Sequence, residues 1–145
     1  MRLTAFSDYT LRTLIYLALR PDVLCTIEEV AVAYGISANH LTKVVHLAAQ
    51  AGEVETVRGQ RGGMRLARAP EAINIGAILR RTEPDWDIAI CFGSEGACAI
   101  QPACVLQAVL GDALAAFLSV LDGKTLADLI RPKRHLAKLL QLEPI

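Results

Sequence analysis

Three of the four cysteines in this sequence lie close together, at positions 91, 98 and 104. Cys91, Cys98 and Cys104 follow the spacing C-x6-C-x5-C, in a segment rich in small residues and poor in helix signals. Zinc sites favour cysteine pairs separated by about two to four residues, because that spacing forms a tight knuckle. Wider gaps suit a larger group, such as an iron–sulfur cluster held by thiolates that converge from a loop. The spacing therefore favours an iron–sulfur site with three thiolate ligands.

Two other interpretations of these cysteines stay open at this point. They are either three unrelated buried thiols or ligands of a structural zinc ion. If they do bind a cluster, three thiolates leave one position to another donor, which makes the cluster labile and reactive. That property suits a sensor better than an electron carrier. The fourth cysteine, Cys25, lies outside the group and is interpreted as a small core residue.

Composition predicts one compact, mainly helical unit with an aliphatic core. The chain has 145 residues, of which 53% are hydrophobic and only 5% aromatic. No uninterrupted apolar run approaches the roughly 20 residues of a membrane span, and no signal peptide is evident. We therefore expect a cytoplasmic protein with no membrane partner, in a compartment where clustered thiols stay reduced. No Ser/His/Asp or paired-carboxylate arrangement stands out, so we expect no enzymatic activity; a redox enzyme or cluster carrier is the alternative of another class.

The N-terminal half has the pattern of a helix-turn-helix. Apolar residues recur at helical spacing from about position 7 to position 20. Thr26 then caps a short helix, Gly35 makes a turn, and Ser37 caps a third helix that closes at Gly52. Two short helices joined by a glycine-containing turn form this DNA-binding motif. The third helix is expected to bury one apolar face, formed by Leu41, Val44, Val45 and Ala48.

The opposite face of that third helix carries small or hydrogen-bonding side chains and one cation. Asparagine can recognise adenine in the major groove, and lysine can reach guanine or phosphate. The early residues of a recognition helix usually contact the bases. A solvated helix face is the alternative. The predicted DNA contacts of this helix are Ser37, Asn39, His40, Thr42 and Lys43.

A β-hairpin is expected directly after this helix, which makes the motif a winged helix. Residues 54–58 and 64–67 have the pattern of two short strands, and residues 59–63 form a glycine-rich tip. A nucleotide-binding loop is disfavoured, because no lysine–serine pair and no helix follow it. Arginines of a wing can enter the minor groove or bind phosphates. The predicted wing contacts are Arg58, Gln60, Arg61, Gly62 and Arg65.

Charge is unevenly distributed although the net charge is zero. Residues 1–82 contain ten Lys/Arg against seven Asp/Glu, whereas residues 83–145 contain five against eight. Residues 56–81 contain six arginines and one glutamate. Such a basic stripe suits a polyanion, and a solvated surface is the alternative.

The C-terminal half is expected to hold an irregular segment and then a long helix over residues 104–121. This helix is apolar on two faces, so it cannot lie on the surface of a small monomer. We expect one face to pack on its own domain and the other on a partner chain. The predicted inward face is Leu106, Leu110, Ala113, Leu114, Phe117 and Leu121, and the second is Val105, Val109, Ala116 and Val120. The predicted organisation is a winged-helix domain (1–82), a cluster-binding loop (83–103), a dimerisation region (104–130) and a tail (131–145).

Four parts of the sequence together resemble the Rrf2 family of bacterial winged-helix regulators with iron–sulfur clusters. They are the opening MRLTAFSDY, the recognition-helix start SANHL at residues 37–41, the wing VRGQRGG at residues 57–63, and the three cysteines. The resemblance covers essentially residues 1–130. It is greatest to the nitric-oxide-sensing repressors of the family.

The resemblance implies a homodimer that represses transcription from a palindromic operator on double-stranded DNA and releases it when nitric oxide acts on the cluster. It implies one cluster per subunit on Cys91, Cys98 and Cys104, with 4Fe–4S favoured over 2Fe–2S and Asp8 of the partner subunit as fourth ligand. Two departures are evident. The first cysteine gap is six residues, where several relatives have four or five. Gln107 stands where 2Fe–2S relatives have histidine, which argues against that mode. Sensing of iron or of cluster supply is the alternative function.

Overall fold

The structure is a computed structural model that describes residues 2–93 and 98–142. The N-terminal half contains α1 (Ala5–Ala18), α2 (Ile27–Tyr34), α3 (Ala38–Gln50), β1 (Val54–Val57), β2 (Gly63–Leu66) and α4 (Ile75–Thr82). The remainder contains α5 (Val105–Asp122), α6 (Leu126–Leu129) and α7 (Lys133–Leu139). Three 3₁₀ turns connect them, at Pro70–Ala72, Ile90–Phe92 and Gln101–Ala103. The predicted mainly helical fold, with a winged helix-turn-helix and a long helix, is confirmed.

Local capping signals define the helix-turn-helix. At the start of α2, the Glu29 amide donates to Thr26 Oγ1 at 3.2 Å, and the Thr26 amide donates to the Glu29 carboxylate at 2.6 Å. Gly35 ends α2 in the left-handed region, with φ 64°, as Gly52 does after α3, with φ 69°. Ser37 does precede α3, but its side chain makes no capping hydrogen bond, so that part of the prediction is wrong.

The core is centred on α1 and the inward face of α3, and α2, the wing strands, α4 and α6 add buried side chains to it. Leu14, Leu17 and Leu19 on and beside α1 are fully buried. The predicted buried face of α3 is confirmed, because Leu41, Val44, Val45 and Ala48 are all buried. The recognition helix is therefore fixed by its apolar side, which leaves its polar side to solvent.

The wing is an antiparallel hairpin that pairs Val54 with Leu66 and Val57 with Gly63. Its second strand is joined to the segment before α2 by Cys25, whose amide and carbonyl both bond to Met64, at 2.9 and 2.8 Å. A Cβ atom at position 62 would lie 2.3 Å from the Val57 carbonyl oxygen, so only glycine fits there.

Helix α5 lies on α4 and buries none of its residues in the single chain. The ring of Phe117 lies 6.2 Å from the ring of Trp86, in the segment before the cysteines. The predicted division of its faces needs correction: Leu106 is 61% exposed, and Ala113 is also exposed. The inward row runs through Gln107, so Leu106 lies about one helical step away from it. The half-buried row is Gln107, Leu110, Gly111, Leu114, Phe117, Leu118 and Leu121.

By length and composition alone, α5 is also apolar enough to cross a membrane, with a mean hydropathy of 1.7. One such helix is weak evidence for a membrane span, because helices of soluble proteins meet the same criterion. Its exposed apolar side chains include Val105, Leu106, Val109 and Val120. Val105, Val109 and Val120 belong to the second apolar face that the sequence assigns to a partner chain, whereas Leu106 was expected on the inward face.

Leu126 anchors α6 in the core, which gives a first prediction. It is 0% exposed, whereas Leu139 on α7 is 65% exposed. We expect Leu126→Ala to lower the free energy of unfolding by about 2–5 kcal/mol, because it removes buried contacts and leaves a cavity. The matched variant Leu139→Ala should change it by less than about 0.5 kcal/mol. Urea unfolding measures both, and equal losses would contradict this account of the core.

Tyr34, at the end of α2, gives a second prediction. Burial raises the pKa of Tyr34 to about 12, and the Arg12 guanidinium, 5.8 Å from its ring centre, only partly opposes this. Because the pKa is raised in the folded state, the stabilisation is complete below pH 10.0, the ordinary pKa, and is lost as pH rises through about 12. The tyrosinate absorbance that Tyr34→Phe removes should therefore titrate near the upper value. Titration of that absorbance near the ordinary pKa would refute the prediction.

Candidate nucleic-acid interface and iron–sulfur site

The outward face of α3 presents the predicted recognition side chains to solvent. Ser37, Asn39, His40, Thr42 and Lys43 are all exposed. Thr42 Oγ1 donates to the Ala38 carbonyl at 2.9 Å, so its oxygen remains available as an acceptor. The structure thus brings these five residues together on one surface, as the sequence predicts.

Tyr9 of α1 lies beside this surface and is not among the predicted contacts. Its ring centre is 6.1 Å from the ring of His40. The contact joins residues far apart in sequence, so no local pattern could have identified it. It limits the orientations of His40 at the start of the recognition helix.

The wing places most of its predicted contacts at an exposed tip. Arg58, Gln60 and Arg61 are exposed, and Gly59 adopts φ 117°, a conformation that favours glycine. Arg65 differs, because its Nε donates to the Glu55 carboxylate at 2.9 Å across the hairpin. Arg65 must therefore share or exchange this partner to bind phosphate, whereas Arg58 and Arg61 extend directly into solvent.

The basic stripe is smaller than the sequence suggests. Arg81 forms a bidentate ion pair with Glu53, and Arg80 forms one with Asp122. Both arginines thus hold elements of the fold together, and the surface charge near the wing comes mainly from Arg58, Arg61, Arg65 and Arg68. The prediction of a continuous stripe over residues 56–81 is corrected in this respect.

The three clustered cysteines lie between α4 and the start of α5. Cys91 lies in a 3₁₀ turn, Cys98 is exposed, and Cys104 immediately precedes α5. Gln107 Nε2 donates to the Cys91 carbonyl oxygen at 2.9 Å and so connects the first cysteine to the first turn of α5. All three are free thiols. Residues 94–97 of the predicted cluster-binding loop lie outside the described residues.

The chemistry of this donor set fits an iron–sulfur cluster, but a single chain does not assemble a closed site. None of the three thiols is in a disulfide, Cys91 and Cys104 are half-buried, and Cys98 is exposed; cysteine thiolates are the usual ligands of iron–sulfur clusters. Across residues 2–93 and 98–142, no three His, Cys, Asp or Glu side chains are close enough to hold a metal ion. The assignment of Cys91, Cys98 and Cys104 as ligands therefore stays a prediction.

Asp8, the predicted fourth ligand, is an ion-pair residue in the single chain. Its carboxylate lies in the first turn of α1 and accepts from Arg12, with Nη2···Oδ2 at 2.9 Å. The side chains of both residues are more than two-fifths exposed. The carboxylate is therefore accessible, and a role as ligand requires it to leave Arg12.

Glu83, the first residue of the predicted cluster-binding loop, anchors the start of α1. Its carboxylate accepts from the Thr4 amide at 2.9 Å and from Thr4 Oγ1 at 3.1 Å. Beside it, the hydroxyls of Ser7 and Thr82 are 2.7 Å apart and buried. These contacts couple the helix that carries Asp8 to the loop that carries the cysteines. They span more than seventy residues, and the sequence pattern carries no sign of them.

Cys25 differs from the clustered thiols in its environment. It is fully buried, and burial is the main reason that its pKa is raised above the ordinary value. Because the thiolate is the reactive form, this residue is a structural thiol.

Comparison with known proteins agrees with this architecture. Residues 3–132 match the model of the Rrf2 family, described as an iron-dependent transcriptional regulator. The HTH-type transcriptional regulators NsrR of Halalkalibacterium halodurans and Bacillus subtilis are 47% and 48% identical to the chain. The alignments cover 99% of this chain, and 100% and 99% of those proteins.

Two solved structures share the fold. T. potens IscR has a TM-score of 0.72 and 25% identity, over 91% of this chain and 88% of that one. CymR, the global cysteine regulator of B. subtilis, has a TM-score of 0.71 and 25% identity, over 89% of this chain and 95% of that one. The surface of α3, the wing and the agreement over nearly the whole length lead to one conclusion: the chain belongs to the Rrf2 family of transcriptional regulators.

Proposed function

We propose that this protein is a homodimeric repressor that binds a palindromic operator and senses nitric oxide through an iron–sulfur cluster. One observation carries the proposal: the chain has both an exposed recognition surface on α3 and three free thiols in the segment that leads to the start of α5. The similarity to regulators named NsrR over nearly the full length supports it. Its place is the cytoplasm, where the thiols stay reduced, and it has no enzymatic activity.

The DNA-binding part of the proposal rests on α3 and the wing. Asn39 and Lys43 extend from the first two turns of α3, where a recognition helix meets base edges. Ser37, His40 and Thr42 supply further hydrogen-bonding groups beside them. Arg58, Gln60, Arg61 and Gly62 bring the wing tip to the phosphates or the minor groove, with Arg65 behind them.

The dimer rests on the exposed apolar surface of α5. Val105, Leu106, Val109 and Val120 are each more than half exposed. A surface of this kind on an otherwise folded chain indicates an interaction site. A second copy fits best, because a twofold dimer would place two recognition helices on a palindrome with half-sites about one helical turn apart. The organisation is then a reader (1–82), a sensor loop (83–103), a dimerisation region (104–130) and a tail (131–145).

The sensor rests on Cys91, Cys98 and Cys104, with Asp8 of the partner subunit as a fourth ligand. When bound, a 4Fe–4S cluster, one per subunit, supplies iron that reacts with nitric oxide. The carboxylate is a hard ligand and the weakest of the four. In the chain itself, Arg12 competes for this carboxylate. Glu83 keeps α1 and the loop in fixed register, so a change at the loop is transmitted to the helix that contacts His40.

A second function, sensing of iron or of cluster supply, is favoured by one finding. The matching family model is described as an iron-dependent regulator. The two functions differ in the stimulus that releases DNA. Release on iron chelation without nitric oxide favours the second, and release by nitric oxide in iron-replete protein favours the first.

The cysteines and the signal are tested in one experiment. We expect anaerobically purified protein to be coloured and to contain iron and sulfide. Cys91→Ser, Cys98→Ser and Cys104→Ser should each abolish the colour and the bound iron and sulfide, because each variant removes a thiolate ligand. Cys25→Ala, the matched control, should retain both.

Operator binding is measured by electrophoretic shift for the cluster-loaded, cluster-free and nitric-oxide-treated protein. Treatment with nitric oxide should lower the affinity of the cluster-loaded protein for its operator roughly a hundredfold. Equal affinity in all three states would falsify the proposal.

The recognition helix gives a prediction of its own. Lys43→Ala should weaken operator binding and reduce the slope of log affinity against log salt by about one, because one cation–phosphate contact is lost. Lys138→Ala, on α7 and away from α3, is the control and should leave both quantities unchanged. Fluorescence anisotropy over a series of salt concentrations provides the measurement. An unaltered slope for Lys43→Ala would exclude this residue from the phosphate contacts.

A further inference from the structure

Arg80 and Arg81 are adjacent on α4, but each forms a bidentate ion pair with a carboxylate in a different part of the chain. Arg81 Nη1 and Nη2 donate to the two oxygens of Glu53 at 2.9 and 2.7 Å. Arg80 donates to both oxygens of Asp122, with Nη2···Oδ2 at 2.8 Å. Paired arginine–carboxylate bonds fix relative orientation as well as distance. We call these four side chains the α4 brace.

Glu53 is the carboxylate of the brace that lies within the reader, between α3 and β1. Its side chain is 2% exposed, although it is a carboxylate. Its amide donates to the Ala48 carbonyl and its carbonyl accepts from the Ala67 amide, both at 2.9 Å. It therefore lies where the recognition helix ends and the wing returns. A buried carboxylate strongly requires its partner, so Arg81 attaches this junction firmly to α4.

Asp122 is the end of the brace that holds α5, of which it is the last residue. Asn74 Nδ2 donates to the Asp122 carbonyl at 2.7 Å, and the Ile75 amide donates to the Lys124 carbonyl at 3.0 Å. The approach of the two helices is close. A Cβ atom at Gly76 would lie 2.0 Å from Asp122 Oδ1, so any larger residue there displaces the carboxylate.

The Arg80–Asp122 pair is poorly placed to serve stability. Both side chains are more than two-fifths exposed, and ion pairs in such positions contribute little to folding. Its bidentate geometry and the space left by Gly76 are better explained by the angle between α4 and α5. That angle decides where each reader lies relative to the dimerisation helix.

We propose that Arg80 and Asp122 are positioning residues that set the angle of each reader on α5, and thereby select the spacing of the two operator half-sites. This inference rests on the proposed dimer and palindromic operator. Arg80 itself contacts no DNA. If α5 forms the dimer interface, the distance between the two recognition helices depends on the angle between the reader and α5 in each subunit. That distance matters because the two recognition helices must enter successive major grooves.

The test compares DNA duplexes that differ only in half-site arrangement. Wild-type protein selects its preferred palindrome from a random duplex library. Affinity is then measured for that palindrome, for a single half-site, and for palindromes with one base pair added or removed between the half-sites. Arg80→Ala and Gly76→Ala should keep single half-site affinity within about twofold but reduce the preference for the selected spacing by about fivefold or more. Gly76→Ala breaks the pair without changing charge and favours the helix.

Two controls make the result specific. The double variant Arg80→Asp with Asp122→Arg should recover the spacing preference, because it restores the pair in reverse. Arg131→Ala removes the pair between the exposed Arg131 and the half-buried Asp128, three residues away in sequence, and should leave the preference unchanged. Thermal melting confirms that each variant is folded before DNA is added.

Three outcomes would overturn the inference. Unchanged spacing preference in both Arg80→Ala and Gly76→Ala would show that the pair does not set the angle. Equal loss of half-site and palindrome affinity would show a general defect in the reader. If wild-type protein selects no palindrome at all, the proposed function fails first and the brace with it, and that result is recognised before any variant is measured.

Discussion

An eighteen-residue helix that buries none of its residues in its own chain is the constraint on which the rest of this structure depends. One face of α5 packs on α4 and on Trp86, in the segment before the cysteines. The other face carries exposed valines and a leucine. Apolar surface of this extent is costly in water. The single chain therefore leaves this apolar surface uncovered, and the proposed dimer would bury it. DNA recognition and the cysteine segment are both arranged around this helix, at its two ends.

The position of the cysteines follows from the same constraint. Cys104 immediately precedes α5, and Gln107 in its first turn holds the Cys91 carbonyl. The cysteine segment thus contacts the first turn of α5. The opposite end of α5, at Asp122, contacts α4. Glu83 and Thr4 make a second, shorter connection from the segment to α1. Two routes thus lead from the cysteines to the reader, one along the long helix and one through the first helix.

Sequence patterns predicted the elements well, because each element is encoded by neighbouring residues. Thr26 and Glu29 form the expected cap, the glycines at 35 and 52 adopt left-handed conformations, and the four apolar positions of α3 are buried. The long helix was expected at 104–121 and lies at Val105–Asp122. Its inward face was partly misassigned, because the row through Gln107 contains a polar residue that hides the true register.

Contacts between distant elements could not be predicted in the same way. Arg80 and Arg81 were assigned to a surface stripe, since nothing local distinguishes them from Arg58 or Arg61. Only the packing of α4 brings Glu53 and Asp122 within reach. The cysteines stand out by their spacing, but no local pattern shows how they are arranged in space, and across residues 2–93 and 98–142 no three potential ligands are close enough to hold a metal ion.

The burial of Cys25 has a consequence for chemical selectivity. Its backbone pairs with the second strand of the wing, and burial raises the pKa of its thiol. An adduct on this sulfur would push the hairpin off the helix-turn-helix and disable the reader directly. Oxidants and electrophiles react with thiols that they can reach, so the exposed Cys98 is open to them and the buried Cys25 is not. The attachment of the wing to the helix-turn-helix is thereby shielded from reagents that reach the exposed thiol of Cys98.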